Sequence, residues 1–356
     1  MIFIIELDLP SVTWYAVSDE KMARRSAPYA GRPPQALIDD ITCCADVTAL
    51  CYFLRHGGNV VIDPVSVVTP ALADAVQRGI PFMPELAQAA GALMRLLSRR
   101  FPAHRHLLFC DTSFFHGLPG PAANYAVPTA LRKSGIRRYG GFGIFHQWAH
   151  EESFKLAGGG PKTISVFLGE TTNAAAVDAG APAESSIGFT PAEGIPSSTG
   201  CGDLDPTVVF EMLARGIALP RIHRLLAQES GLSGLLGKPC TLGELLTGAG
   251  KPAYHAVLDV YRYAVLKYIG SFAAVLGGCD RLVFGCLDPE ALSPIAAWLC
   301  GRLPFAGLRR ARRPKVVAPG WRELTTARSA TRVYVCGYDR WKIIAEKATM
   351  YSKKTS

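Results

Sequence analysis

The sequence predicts an α/β protein built from two lobes, and three observations support this prediction. The chain has 356 residues, which at about 150 residues per domain corresponds to two domains. Hydrophobic residues make up 49% of the chain and charged residues 19%, a balance that excludes a disordered or low-complexity protein. Segments typical of strands alternate with segments typical of helices in two successive blocks, as in α/β architecture.

The first block occupies the N-terminal third of the chain. Apolar runs rich in β-branched residues predict strands at residues 1–6, 12–17, 59–68 and 106–110. Pro64 interrupts the third of these, and the fourth ends at Asp111. Residues 84–99 carry apolar side chains at helical spacing, whereas the charges, glycine and prolines of residues 18–35 predict a loop.

The second block repeats the alternation. Short apolar runs predict strands at residues 163–168 and 282–284. Helical spacing of apolar residues predicts helices at 206–214, 219–228, 254–276 and 290–302. The long helix ends at Gly277 and Gly278, because glycine is the usual residue just past a helix C-terminus.

Positive charge is concentrated near the C-terminus. The net charge is +9, yet residues 302–356 hold 14 Lys or Arg against three Asp or Glu, so the remainder of the chain is close to neutral. Basic clusters attract phosphates, but no nucleic-acid-binding signature accompanies this one. The segment is therefore interpreted as a solvated surface or as a contact for an acidic partner, and nucleic acid is not expected.

The spacing of the cysteines and the hydropathy of the chain predict its cellular compartment. Ten cysteines are scattered without the spacing of a zinc site, which is typical of free thiols in a reducing compartment. The N-terminal residues lack the basic region of a signal peptide, and no apolar run reaches the ~18 residues of a membrane span. These features predict a cytoplasmic protein without a membrane contact.

Five short segments resemble, in order and nearly in spacing, the motifs of the acetate/propionate kinase family. They are C-D-T-S-F at residues 110–114, G-I-R-R-Y-G at 135–140, S-I-G-F-T-P-A-E-G at 186–194, G-D-L-D-P at 202–206 and E-S-G-L at 229–232. The resemblance covers residues 100–330 well and the N-terminal third only faintly. One such segment is a weak signal, but five in order make chance similarity improbable.

This resemblance implies a duplicated, two-lobed α/β fold of the actin-like, sugar-kinase ATPase class with a central cleft. The implied first lobe comprises residues 1–110 and is closed by residues 325–356. Residues 111–324 form the second lobe, which holds the nucleotide side and the contact of a homodimer. The implied reaction moves the γ-phosphoryl group of ATP, with Mg²⁺, to a short-chain carboxylate such as acetate or propionate.

The resemblance also assigns candidate site residues. Phosphoryl transfer needs cations and backbone amides near the phosphates and a magnesium ion held by carboxylates. The implied catalytic residues are Asp111, Arg55 and His146. The implied metal ligands are Asp111, Glu6 and Glu323, and the implied nucleotide-binding residues are Gly169, Gly202, Asp203 and Gly285.

Several positions depart from the family pattern at the groups that would touch substrate. Phe53 and Gly200 stand where the family has arginines, and Met83 and Phe142 stand where it has histidines. Glu170 lies in the expected phosphate turn, where an acid would repel phosphate. Two hypotheses follow: a phosphotransferase of weak or altered activity, or an inactive pseudokinase that binds a partner through its basic C-terminal segment.

Overall fold

The computed structural model describes residues 1–18, 21–80, 83–303 and 306–354. The chain divides into two compact units, which are described separately. Unit 1 comprises Met1–His116 and the C-terminal segment from Asp339 onward, and unit 2 comprises Gly117–Tyr338. Relative to the boundaries expected from the sequence, residues 111–116 lie in unit 1 and residues 325–338 in unit 2.

Strands and helices alternate along much of the chain. The strands are β1 (Ile2–Asp8), β2 (Ser11–Val17), β3 (Met22–Pro28), β4 (Ala49–Leu54), β5 (Val65–Val67), β6 (Arg105–Cys110), β7 (Lys162–Leu168), β8 (Asn173–Asp178), β9 (Ala181–Ser185), β10 (Arg281–Cys286), β11 (Arg310–Ala318), β12 (Trp321–Thr325) and β13 (Arg332–Gly337). The α-helices are α1 (Gln35–Cys43), α2 (Pro70–Gly79), α3 (Pro84–Arg100), α4 (Gly120–Ala123), α5 (Thr129–Lys133), α6 (Gly143–Ala157), α7 (Pro206–Ala214), α8 (Leu219–Gln228), α9 (Gly231–Leu236), α10 (Leu242–Thr247), α11 (Pro252–Leu276), α12 (Pro289–Cys300) and α13 (Arg340–Lys354).

The two units share one strand order. The sheet of unit 1 has the order β3-β2-β1-β4-β6-β5, in which β1, β4 and β6 run parallel. Given from the corresponding edge, the sheet of unit 2 has the order β9-β8-β7-β10-β13-β12-β11, in which β7, β10 and β13 run parallel. In each sheet an antiparallel three-strand meander leads into two further parallel strands, so the expected duplication is present in the topology.

Most predicted elements are confirmed, and the differences have a physical reason. The predicted loop at residues 18–35 is wrong in part, since β3 pairs along its whole length with β2. β3 is an edge strand whose side chains are mostly exposed, so it lacks the apolar alternation by which a strand is recognised. The strand predicted over residues 59–68 is reduced to β5.

The long helix α11 forms much of the core of unit 2. Its buried side chains, among them Val257, Tyr261, Val265 and Phe272, pack against the sheet. Gly277 ends the helix in the left-handed conformation with φ of 64°, as the sequence predicts. No helix within the described part of the chain is long and apolar enough to cross a membrane.

Candidate active site

Three of the predicted site residues lie at one edge of the sheet in unit 1. Because β1, β4 and β6 are parallel neighbours, their carboxyl ends meet at the same edge. Glu6 lies near the end of β1, Arg55 directly follows β4, and Asp111 directly follows β6. In open α/β sheets ligands bind at this edge, so the topology supports Glu6, Arg55 and Asp111 as candidates.

Arg55 is engaged by two carboxylates. Its Nη2 lies 3.1 Å from Oε1 of Glu6 and 3.5 Å from Oδ2 of Asp8. The three side chains border a small cavity of about 100 Å³, which Met83 and Phe53 also line. At this cavity one guanidinium therefore faces two acids. Pro81 and Phe82, which precede Met83, lie outside the described residues.

Asp111 is paired with an arginine from the C-terminal helix. Its side chain is buried, and its Oδ2 lies 3.4 Å from Nη2 of Arg340. The Arg340 guanidinium also lies over the ring of Phe53, 4.7 Å from its centroid. A guanidinium from α13 therefore lies beside the strand position where the resemblance places an arginine and the chain has phenylalanine.

The beginning of α13 is fixed by its neighbours. Oδ1 of Asp339 accepts hydrogen bonds from the backbone N–H groups of Trp341 and Lys342, as an N-cap does. The Trp341 ring stacks on Tyr15 with 4.1 Å between centroids and meets Phe53 edge-on. These contacts hold Arg340 over the carboxyl edge of the sheet.

The basic C-terminal segment is not one surface. β11 is an exposed edge strand of unit 2 that carries Arg310, Arg312, Arg313 and Lys315. α13 instead belongs to unit 1, where the Arg340 side chain is only 15% exposed. The sequence prediction of a solvated run therefore holds for β11 and is wrong for Arg340. No local signal identified Arg340, because its partners lie far away in the sequence.

In unit 2, His146 is a fully buried residue of α6. Its Nδ1 lies 2.7 Å from Oγ of Ser165, and its Nε2 lies 2.5 Å from Oδ1 of Asn173. An amide oxygen only accepts hydrogen bonds, so Nε2 carries the proton and Nδ1 accepts from the serine hydroxyl. Burial lowers the pKa of His146 to about 3, so this imidazole is neutral and joins α6 to β7 and β8.

Gly202 and Asp203 join two loops to α11. Gly202 has φ of 72°, and a Cβ there would lie 2.5 Å from the carbonyl oxygen of Gly194. Oδ1 of Asp203 accepts from the Gly194 N–H at 2.9 Å, and its Oδ2 accepts from the Tyr268 hydroxyl at 2.7 Å. Both carboxylate oxygens are therefore used within the protein.

Gly169 and Gly285 occupy positions where a side chain would meet a ring. A Cβ at Gly169 would lie 2.8 Å from the Phe167 ring, and one at Gly285 would overlap the ring of Phe145. Gly169 follows β7, and Gly285 lies within β10. Packing against phenylalanine thus favours glycine at both positions, and most strongly at Gly285, independently of any nucleotide.

Aromatic rings occupy the region where the resemblance places a histidine. Phe142 precedes α6 in the left-handed conformation, and its ring lies 5.2 Å from that of Phe167. Phe145 and Tyr338 extend the cluster. None of these phenylalanine side chains can donate a hydrogen bond to a phosphoryl oxygen.

Glu323 lies on β12 and is almost fully buried. It accepts hydrogen bonds from Nε and Nη2 of Arg332, the latter at 2.7 Å, and from the Thr325 hydroxyl at 3.2 Å. Such a bidentate arginine pair occupies both carboxylate oxygens. Glu323 therefore stabilises the contact between β12 and β13.

The carboxylates that the resemblance assigns to magnesium are all engaged within the protein. Glu6, Asp111 and Glu323 each lie in an ion pair with an arginine. Mg²⁺ in phosphoryl-transfer sites is commonly held by one or two carboxylates together with substrate phosphates. Within the described residues, no group of three or more His, Cys, Asp and Glu side chains is placed to hold a metal ion.

Comparison with known proteins places the chain in a family. The model of the acetokinase family matches residues 37–346. The chain is 28% identical over 335 residues to the acetate kinase of Clostridium kluyveri, covering 90% of this chain and 82% of that protein. It is 35% identical over 243 residues to the acetate kinase of Clavibacter michiganensis subsp. michiganensis, covering 64% of this chain and 59%, less than two thirds, of that protein.

A solved structure shows the same fold. The crystal structure of Porphyromonas gingivalis acetate kinase superposes with a TM-score of 0.85 and 22% sequence identity, covering 98% of each chain. The expected fold class is thereby confirmed. The family model spans both units and the five segments identified in the sequence. This chain therefore belongs to the acetokinase family.

Proposed function

We propose that this chain is an ATP-dependent phosphotransferase of the acetokinase family, acting on a short-chain carboxylate such as acetate or propionate, whose turnover is weak or lost. One observation carries the second half of this proposal. Each carboxylate that the family resemblance assigns to magnesium is paired with an arginine: Glu6 with Arg55, Asp111 with Arg340 and Glu323 with Arg332.

The magnitude of the loss follows from the cost of opening these pairs. Freeing a buried carboxylate from its arginine costs about 3–5 kcal/mol, and each 1.4 kcal/mol in a barrier is about tenfold in rate. The Asp111–Arg340 pair is the more buried of the two in unit 1. If turnover requires that pair to open with no other cation in place of Arg340, this step alone lowers turnover by about 10²–4 × 10³, before the missing arginines and histidines are considered.

Trapping of acyl phosphate with hydroxylamine tests the proposal. The full chain is incubated with ATP, Mg²⁺ and acetate or propionate, beside isothermal titration with ATP and Mg²⁺. We expect turnover well below the ~1–10³ s⁻¹ of ordinary enzymes. Any residual activity is abolished by Asp111→Asn and unaffected by Asp63→Asn, an exposed carboxylate outside the site. Turnover in the ordinary range contradicts the proposal.

A second candidate function is binding of an acidic partner through β11. This strand forms the open edge of its sheet, and its basic side chains are exposed. Titration with polyglutamate and with duplex DNA distinguishes an acidic protein from nucleic acid. If Arg312→Gln with Arg313→Gln abolishes polyglutamate binding in a chain without turnover, the pseudokinase hypothesis replaces the first.

We also propose that the chain forms a homodimer through unit 2. Large apolar side chains of unit 2 are exposed: Phe210, Leu219, Val260, Tyr263 and Val275. Contiguous apolar surface on a folded protein commonly marks an interface, and Val260 and Tyr263 lie one turn apart on α11. Sedimentation velocity tests this: we expect a dimeric wild type and a weaker dimer for Tyr263→Ser, and a monomeric wild type contradicts the proposal.

All ten cysteines are free thiols, which supports a cytoplasmic location.

A further inference from the structure

A second cavity lies in unit 1, between the loop before α1 and the carboxyl end of α3. Its volume is about 660 Å³, within the ~300–1,000 Å³ of typical small-molecule sites. It is lined by Arg32, Ile38, Leu96, Leu97, Arg99 and Arg100. None of these residues lines the small cavity at Glu6 and Arg55, so it is a separate site.

Three arginines border this cavity without a partner in the protein. Arg32, Arg99 and Arg100 are exposed, and none makes a hydrogen bond or ion pair with any residue that the structure describes. Of the acids of α1, Asp40 accepts from Trp14 and Arg25, whereas Asp39 accepts from Gln35, a residue of the cavity lining. The cavity therefore presents three arginines, of which Arg99 and Arg100 lie in the last turn of α3, and Asp39 is the nearest carboxylate on α1.

The amino end of α1 adds to this positive field. Pro34 stands at its N-cap, and no described side chain caps the helix. A nine-residue helix presents partial positive charge at this end. Guanidinium groups bind phosphate oxygens through paired hydrogen bonds, and helix amino ends favour the same ligand.

The rest of the lining is apolar. Leu96 is 42% exposed although it lies on a helix whose opposite face is buried. Ile38 and Pro33 are half-buried beside it, and Leu97 is buried. A ligand that covers these side chains gains from removing their surface from water, which an inorganic ion does not do.

We propose that this cavity binds an organic phosphate that carries an apolar body. The phosphate pairs with Arg32, Arg99 and Arg100, and the apolar body covers Leu96 and Ile38. This site goes beyond the proposed phosphotransfer, because it shares no residue with the groups considered for that reaction and does not depend on turnover.

Isothermal titration of the full chain, in EDTA and without nucleotide, tests the proposal. The probes are octyl phosphate below its micellar concentration, inorganic phosphate and octyl glucoside. We expect octyl phosphate to bind at least about tenfold more tightly than either of the others, because it alone supplies both halves of the interaction. Its affinity should fall with rising salt.

Matched arginine variants locate the site. Arg99→Gln with Arg100→Gln should weaken octyl phosphate at least about tenfold, whereas Arg78→Gln, an exposed arginine on α2 outside the cavity, should leave it unchanged. Circular dichroism checks that each variant is folded. Equal binding of octyl phosphate and inorganic phosphate overturns the proposal, as does equal loss in the Arg78 variant.

Discussion

The buried imidazole of His146 makes the stability of the protein depend on pH in a calculable way. Its side chain is completely buried, and burial lowers its pKa from 6.5 to about 3. In the unfolded chain the same imidazole is exposed to water and titrates near its ordinary value. The unfolded state therefore binds a proton between pH 6.5 and pH 3 that the folded state excludes.

The sign and size of the effect follow from this difference in proton binding. Because the unfolded state takes up more protons as the pH falls, the free energy of unfolding decreases below pH 6.5. A folded pKa of about 3 gives a loss of about 2 kcal/mol between pH 8 and pH 5. The contribution is fully present above pH 6.5 and continues to decrease until the pH reaches the folded pKa.

Urea unfolding at pH 8, 7, 6 and 5 measures this loss. Other groups also titrate, including His106, whose pKa is lowered by burial, so the informative quantity is the difference between variants. His146→Gln keeps groups that can meet Ser165 and Asn173 but removes the titration, so its stability should fall by about 2 kcal/mol less between pH 8 and pH 5. His223→Gln, at an exposed histidine, should match the wild type.

A direct titration covers the case in which His146→Gln does not fold. NMR of imidazole-labelled protein should show the His146 ring neutral at pH 5, with the Nε2 tautomer that its contact with Asn173 requires. A His146 resonance that titrates near pH 6.5, or equal slopes in the wild type and the Gln variant, refutes the reasoning.

Three further predictions concern single contacts measured by urea unfolding. Arg340→Met removes the guanidinium that faces the buried carboxylate of Asp111 and should cost up to about 3–5 kcal/mol. Adding Asp111→Asn should recover part of this, and a cost below about 1 kcal/mol counts against the pair. Gly202→Ala places a Cβ on backbone with φ of 72° and close to the carbonyl oxygen of Gly194, so it should lower the free energy of unfolding by at least about 1 kcal/mol. Gly250→Ala, where a Cβ meets open space, should leave it almost unchanged. Tyr268→Phe removes the hydrogen bond to Asp203 and should cost about 1 kcal/mol; an unchanged free energy of unfolding would disprove this role.

The elements with strong periodicity were predictable because their own residues encode the buried face. α11 buries one stripe of apolar side chains, and the glycine at its end adopts the expected conformation. β3 was not predictable, because the strand is held by pairing with β2 and its side chains face solvent. Sequence patterns report burial, and an exposed edge strand shows little of it.

The identity of the candidate site residues was predictable from the sequence, but the side chains that they contact were not. Asp111 was recognisable because an apolar strand ends there, but its pairing with Arg340 depends on α13 returning to unit 1. Gly285 illustrates the same limit, since a glycine required by a phenylalanine ring and one required by a nucleotide look identical in sequence. The role of such residues depends on distant partners that no local pattern contains.

The return of α13 to unit 1 has a consequence for synthesis on the ribosome. Unit 2 is one continuous stretch that is synthesised without interruption, whereas unit 1 is interrupted by the whole of unit 2. Until the last helix is translated, the ring of Tyr15 lacks Trp341 and the buried carboxylate of Asp111 lacks its arginine. One part of unit 1 is therefore made before unit 2 and the other part after it, and a chain truncated before α13 exposes the β1 and β2 face that α13 covers.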